Sequence, residues 1–111
     1  MTSDSERVQA ISSIVSAARR LLAGEIGVVQ AAREIARQCS TVDPHMQDVE
    51  LLGFIGIDSE SDRLVPEQFI QNCDPSLHDQ KRKEFSDFER FYLESALKDA
   101  AVLVERYSRG A

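Results

Sequence analysis

Residues 74–108 read DPSLHDQKRKEFSDFERFYLESALKDAAVLVERYS, and after Pro75 the stretch holds neither proline nor glycine. Phe85, Phe88, Tyr92, Ala96, Ala100, Leu103 and Tyr107 recur at three- and four-residue steps, the spacing that lines one face of an α-helix. Phe91, Leu93, Leu97, Ala101, Val102 and Val104 widen that face. A surface helix carries an apolar arc of roughly 100°, so the wider stripe predicts neighbours on two sides. The stretch reads as the central helix of a small all-α domain. At ~1.5 Å per residue it would reach ~50 Å, more than a globule of this mass is wide. Residues 80–84, QKRKE, contain nothing apolar, which predicts that this end overhangs or bends.

Toward the N-terminus, Ser3 and Glu6 have the spacing of a capping box, which satisfies two free N–H groups where a helix begins. Val8, Ile11, Ile14, Val15, Ala18, Leu21 and Leu22 mark the first helix, and Gly24 ends it by supplying the left-handed residue that commonly follows a helix. The connection to Gly27 is short, so a second helix bearing Val28, Ala32, Ile35, Ala36 and Cys39 should return antiparallel. Its alanines, with Ala17 and Ala18, would let the two axes approach closely.

Between hairpin and last helix the signals are mixed. Ser40 to Pro44 is a break, with Asp43 as a cap and Pro44 as the first residue of a restart. Leu51 to Ile57 is apolar, and periodicity alone does not separate strand from helix at this length. No other stretch offers itself as a partner strand, so a helix over 49–57 is expected, with Gly53 and Gly56 tolerated for close packing. Asp58-Ser59-Glu60-Ser61-Asp62-Arg63 reads as a polar loop. Pro66 then opens a short helix with Phe69 and Ile70 inward, and Asp74-Pro75 repeats the cap-and-proline signature. Glu94 with Lys98, and Glu105 with Arg109, stand in the favourable i,i+4 order. The expected architecture is one domain over residues 1–111, a bundle of four to five helices with the N-terminal hairpin packed on the long last helix.

The totals agree with an ordinary soluble globule: 111 residues, 42% hydrophobic and 29% charged. The N-terminus lacks a basic segment followed by an apolar one, which argues against a secretory signal. No apolar run approaches the ~18–20 residues needed to cross a bilayer. Cys39 and Cys73 show no framework spacing, so a cytoplasmic location and no membrane partner are expected. The net charge of -6 is unevenly placed. Residues 48–79 hold eight acids against Arg63 alone, a balance of -7, while the flanking thirds are close to neutral. Such a segment repels nucleic acid and suits either a basic protein partner or simple solubility.

Few constellations carry chemistry. Asp58, Glu60 and Asp62 alternate like the first ligands of a calcium loop, but Arg63 stands at the required glycine and Phe69 at the twelfth-position carboxylate, which excludes an EF-hand. Cys39, His45, Cys73 and His78 are a zinc inventory in number only. Their spacings, five and four intervening residues, are not those of a structural site. No Gly-rich phosphate loop, no strand–turn–helix serine and no paired carboxylates can be placed. No cofactor, no metal and no enzymatic activity are expected.

The acids from Asp48 to Asp79, centred on Asp58-Ser59-Glu60-Ser61-Asp62, give an acidic, helical chain near a hundred residues long. In size and charge it resembles the immunity proteins of bacterial toxin systems, including those of contact-dependent inhibition. The resemblance implies inhibition by docking on a basic toxin domain, often a nuclease. The residues expected to face such a partner are Asp48, Glu50, Asp58, Glu60, Asp62, Glu67 and Asp74. The alternative is a self-associating helical adaptor or regulator, a homodimer that would depend on Phe91 or Tyr92 rather than on the acids.

Overall fold

The computed structural model describes residues 4–108. Among them are five α-helices, one 3-10 turn and no strand. Helix α1 spans Asp4–Leu22, with Asp4 and Glu6 in its first turn and Arg19 and Arg20 in its last, the charge order that suits a helix dipole. Gly24 ends it at φ 76°, and the Gly24 and Glu25 N–H groups return to the Leu21 and Arg20 carbonyls. These are the two bonds of a Schellman motif, as expected for a glycine in the left-handed region. Ser3 of the anticipated capping box and Arg109 of the anticipated Glu105 pair lie outside the described residues.

Helix α2, Val28–Val42, runs back against α1. Ala17, Ala18, Ala31 and Ala32 are fully buried, so small side chains set the close approach. Gly27 supplies no capping side chain. The cap comes from another element: Glu89 accepts the Val29 N–H at 2.8 Å. A methyl group on Gly27 would stand 2.4 Å from that carboxylate.

The chain restarts later than the sequence predicts. Asp43 takes the N–H groups of Gln47 and Asp48 at 3.1 and 2.8 Å, closing a loop in which Met46 has φ 54°. Asp48, not Asp43, caps helix α3, Val49–Ser61. The helix expected over 49–57 is present, but it continues through Asp58 to Ser61, so most of the anticipated polar loop is its last turn. Ser61 is buried, and its hydroxyl donates to the Asp58 carbonyl at 2.7 Å, which satisfies a polar group that would otherwise oppose burial. At Gly53 an added Cβ would lie 2.9 Å from the Asp99 carboxylate, whereas Gly56 faces open space. Close packing therefore accounts for one glycine of the two.

After Leu64, which is buried, Pro66 leads into the one-turn helix α4, Glu67–Ile70. Ile70 points inward, but Phe69 is 53% exposed, because a single turn presents only one of two adjacent side chains to the core. Asp74 caps a 3-10 turn, Pro75–Leu77, that feeds helix α5, His78–Ser108. Helix α5 lies against both α1 and α3. Its first buried residue is Phe88, followed by Ala96, Ala100 and Leu103. The leading third is not an overhang: Phe85 is partly buried against the core and Arg82 pairs with Glu67 of α4, in a molecule measuring 50 × 28 × 22 Å. No helix is long and apolar enough to cross a membrane among the described residues.

Candidate functional site

The seven acids singled out from the sequence do not converge. Asp48 and Glu50 are tied into the junction of α3 with the end of α5. Asp48 Oδ1 accepts the Glu50 and Leu51 N–H groups at 3.1 Å each and lies 2.7 Å from Arg106 Nη1. Its Oδ2 accepts the Tyr107 hydroxyl at 2.5 Å. Only 8% of the Asp48 side chain is exposed. Burial alone would push its carboxyl up, but the bonds from Tyr107 and Arg106 outweigh that and hold it below the usual carboxylate range. Glu50 takes the other branch of Arg106 at 3.2 Å.

The other five lie elsewhere. Asp58 stands 3.7 Å from Arg33, and Glu67 is 3.0 Å from Arg82 Nε. Asp74 accepts the Ser76 N–H and hydroxyl within its own turn. Glu60 accepts the Tyr92 hydroxyl, and exposed Asp62 ends α3. The partners Arg106, Tyr92 and Arg82 are spaced ~21 and ~15 Å apart along the axis of α5. These acids are strung along a helix, not gathered on one patch. Exposed pairs such as Glu67–Arg82 stabilise by only ~0–1 kcal/mol.

One place does combine acids with open apolar surface. Between the end of α3 and the middle of α5 lies a hollow of about 480 Å³. Glu60 and Arg63 border it on one side, with Glu84 and Asp87 on α5. Phe88, Phe91 and Tyr92 form its aromatic wall. The Tyr92 ring lies 4.9 Å from both Phe88 and Phe91, tilted to the first and edge-on to the second. The Arg63 guanidinium sits 5.6 Å above the Phe88 ring. Phe88 is a core residue, whereas Phe91 is 78% exposed, the most exposed large apolar side chain among the described residues.

Of these lining residues the sequence offers Glu60 as a docking acid, and Phe91 and Tyr92 only as contacts of a homodimer. Glu84 and Asp87 fall in a third of the chain whose charges nearly cancel, and both are balanced locally, Glu84 by Lys81 at 3.7 Å and Asp87 by Lys83 at 2.7 Å. Phe91 was absorbed into the broad apolar stripe. The signal that could have found it is its helical position, since at ~100° per residue it lies ~60° outside the arc that runs from Phe88 through Tyr92 and Ala96 to Ala100.

The cysteines and histidines do not form a centre. Cys39 is buried with its thiol donating to the Ile35 carbonyl at 3.3 Å, and burial, with Asp43 and Asp48 nearby, pushes its pKa up to about 11. His78 Nε2 lies 3.1 Å from the Cys73 carbonyl. Among the described residues, no three His, Cys, Asp or Glu side chains are grouped to hold a metal ion. Comparison with protein-family models, with curated proteins and with solved structures finds no match to this chain.

Proposed function

We propose that this chain is a protein-binding inhibitor of the immunity type, which docks on a basic toxin domain and covers its working surface. The observation that carries this reading is the coincidence of exposed Phe91 with the Glu60, Glu84 and Asp87 carboxylates around one hollow. An aromatic anchor ringed by charge is what a specific interface uses. The buried aromatic supplies most of the affinity, and the surrounding charges exclude wrong partners and speed encounter. The net charge of -6 adds long-range attraction for a basic surface. Asp48, Glu50 and Asp74 serve the fold in this reading, and the docking acids are Glu60, Glu84 and Asp87, with Asp62 next in the chain to Arg63 of the hollow and Asp58 and Glu67 at the margin.

The test is capture from the source cell by the tagged wild-type chain and by a Glu60→Lys, Asp62→Lys variant in parallel. Support requires a basic protein held in stoichiometric amount by wild type, lost by the variant, and toxic to cells unless this chain is co-expressed. A partner held equally by both chains contradicts the acidic docking surface.

A second reading, self-association, is favoured by the same open Phe91. A two-fold dimer would bury it against a second copy. Sedimentation of wild type against Phe91→Asp separates the two, because an inhibitor of a basic protein stays monomeric in both.

A further inference from the structure

We infer that the hollow between α3 and α5 is an arginine-accepting subsite, the place where one guanidinium of a basic protein partner is seated. The inference rests on the docking function proposed above and adds the identity of the anchoring side chain. Three features of the hollow argue for it.

The first is an internal precedent. The chain's own Arg63 already places its guanidinium over the Phe88 ring on one side of the hollow, so this aromatic wall accommodates a planar cation. The second is what remains open. Phe91, 78% exposed, offers a further ring that touches Tyr92 edge-on. The third is the position of the acceptors. Tyr92 donates to Oε2 of Glu60, which fixes that carboxylate beside the rings. On the opposite side Asp87 is held by Lys83, and Glu84 by Lys81 and the Gln80 amide, all within α5, contacts weak enough to exchange for an incoming cation.

An arginine fits this combination better than a lysine. Its planar guanidinium can lie on the Phe91 or Tyr92 face while its N–H fork reaches a carboxylate in the same plane. A lysine ammonium can do one or the other, and it gives up more hydration in doing so. A neutral apolar side chain would cover Phe91 but desolvate the neighbouring carboxylates without giving them a new hydrogen bond, which opposes binding.

The experiment is an NMR titration of the 15N-labelled full chain with acetyl-Gly-Arg-Arg-Gly-amide, and with its lysine and norleucine counterparts. Saturable shifts confined to the amides around Glu60, Arg63, Phe88, Phe91 and Tyr92 are expected. The arginine peptide should bind about threefold or more tighter than the lysine peptide, with no saturation by norleucine. Phe91→Ala, at an exposed position that leaves folding intact, should weaken the arginine peptide about twofold to fivefold and narrow its lead over lysine. Glu25→Gln should leave both peptides unaffected. Equal arginine and lysine affinities, or shifts spread over remote acids such as Glu25 and Asp43, overturn the inference. Peptide and partner are read separately. Arginine binding without any captured basic protein sinks the proposed function and leaves the subsite standing, whereas capture without peptide binding sinks the subsite alone.

Discussion

Replacing Asp48 separates a fold-holding acid from a docking one. Asp48→Ala removes the cap of α3, which accepts the Glu50 and Leu51 N–H groups. That loss costs about 1 kcal/mol, within a range of ~0.5–2. It also strips the Tyr107 hydroxyl of its charged acceptor. Such a bond contributes ~1.5–3 kcal/mol when enclosed, discounted here to about 1 because Tyr107 is only half-buried and can turn toward water. Arg106 keeps Glu50 as its partner, so its share is within ~0–1 kcal/mol. The total is about 2–3 kcal/mol. Urea denaturation should show the midpoint falling with an unchanged slope, and the melting temperature should drop by about 8–15 °C. Asp48→Asn keeps an acceptor for the cap and loses the charge, so it should lie between wild type and alanine. The wild-type advantage has a defined pH window. The Asp48 carboxyl is held below its ordinary range, so its stabilisation is present above the unfolded value of about 3.9 and is lost as pH falls through the folded one. An Asp48→Ala protein as stable as wild type, with the α3 amides equally protected from exchange, would refute the reasoning.

Four further outcomes are open to direct measurement. Asp99 is pushed up by burial and by the charges of Glu50 and Asp48, with Lys98 in partial compensation. Its charge is therefore a penalty above its raised pKa, which fades as pH falls through that value and is gone below the unfolded one. Asp99→Asn should raise the melting temperature at pH 7, with the gain shrinking on acidification and gone below about pH 4. Gly27→Ala should push the Glu89 carboxylate off the Val29 N–H and destabilise by about 1–2 kcal/mol, measured by thermal unfolding in circular dichroism. Phe54, fully buried in α3, should cost about 3–5 kcal/mol as alanine, read by urea denaturation. A thiol reagent at pH 8 should modify Cys73 promptly in the folded protein and reach Cys39 only on unfolding, because Cys39 is buried and held as a thiol up to about pH 11.

The parts of this fold that were legible in the sequence are those governed by short-range chemistry. Gly24 ends α1 because the left-handed residue and its two return bonds are local. The alanine faces of the hairpin and the core stripe of α5 follow from periodicity. The errors arose where a distant group supplied what local sequence lacked. Glu89 caps α2 from sixty residues away, and Tyr107 and Arg106 complete the Asp48 cap from nearly as far. Composition misled at residues 58–61, where serines and acids spell a loop but a helical turn on the surface accepts them. Charge counting misled about the site. Eight acids in 48–79 suggested one acidic face, yet arginines from α2 and α5 reach Asp48, Glu50, Asp58 and Glu67. The hollow depends on three-dimensional proximity between Glu60 and the aromatic residues of α5, which no spacing rule encodes.

The most direct measurement is the dissociation constant for a captured basic partner, taken by titration calorimetry against wild type, Glu60→Lys with Asp62→Lys, and Phe91→Ala. The docking account requires the charge reversal to abolish binding and Phe91→Ala to weaken it about thirtyfold or more, the loss typical of an anchoring aromatic. It also requires affinity to fall with added salt. Affinity unchanged by all three perturbations would contradict the account and leave the open face of α5 as a surface for self-association.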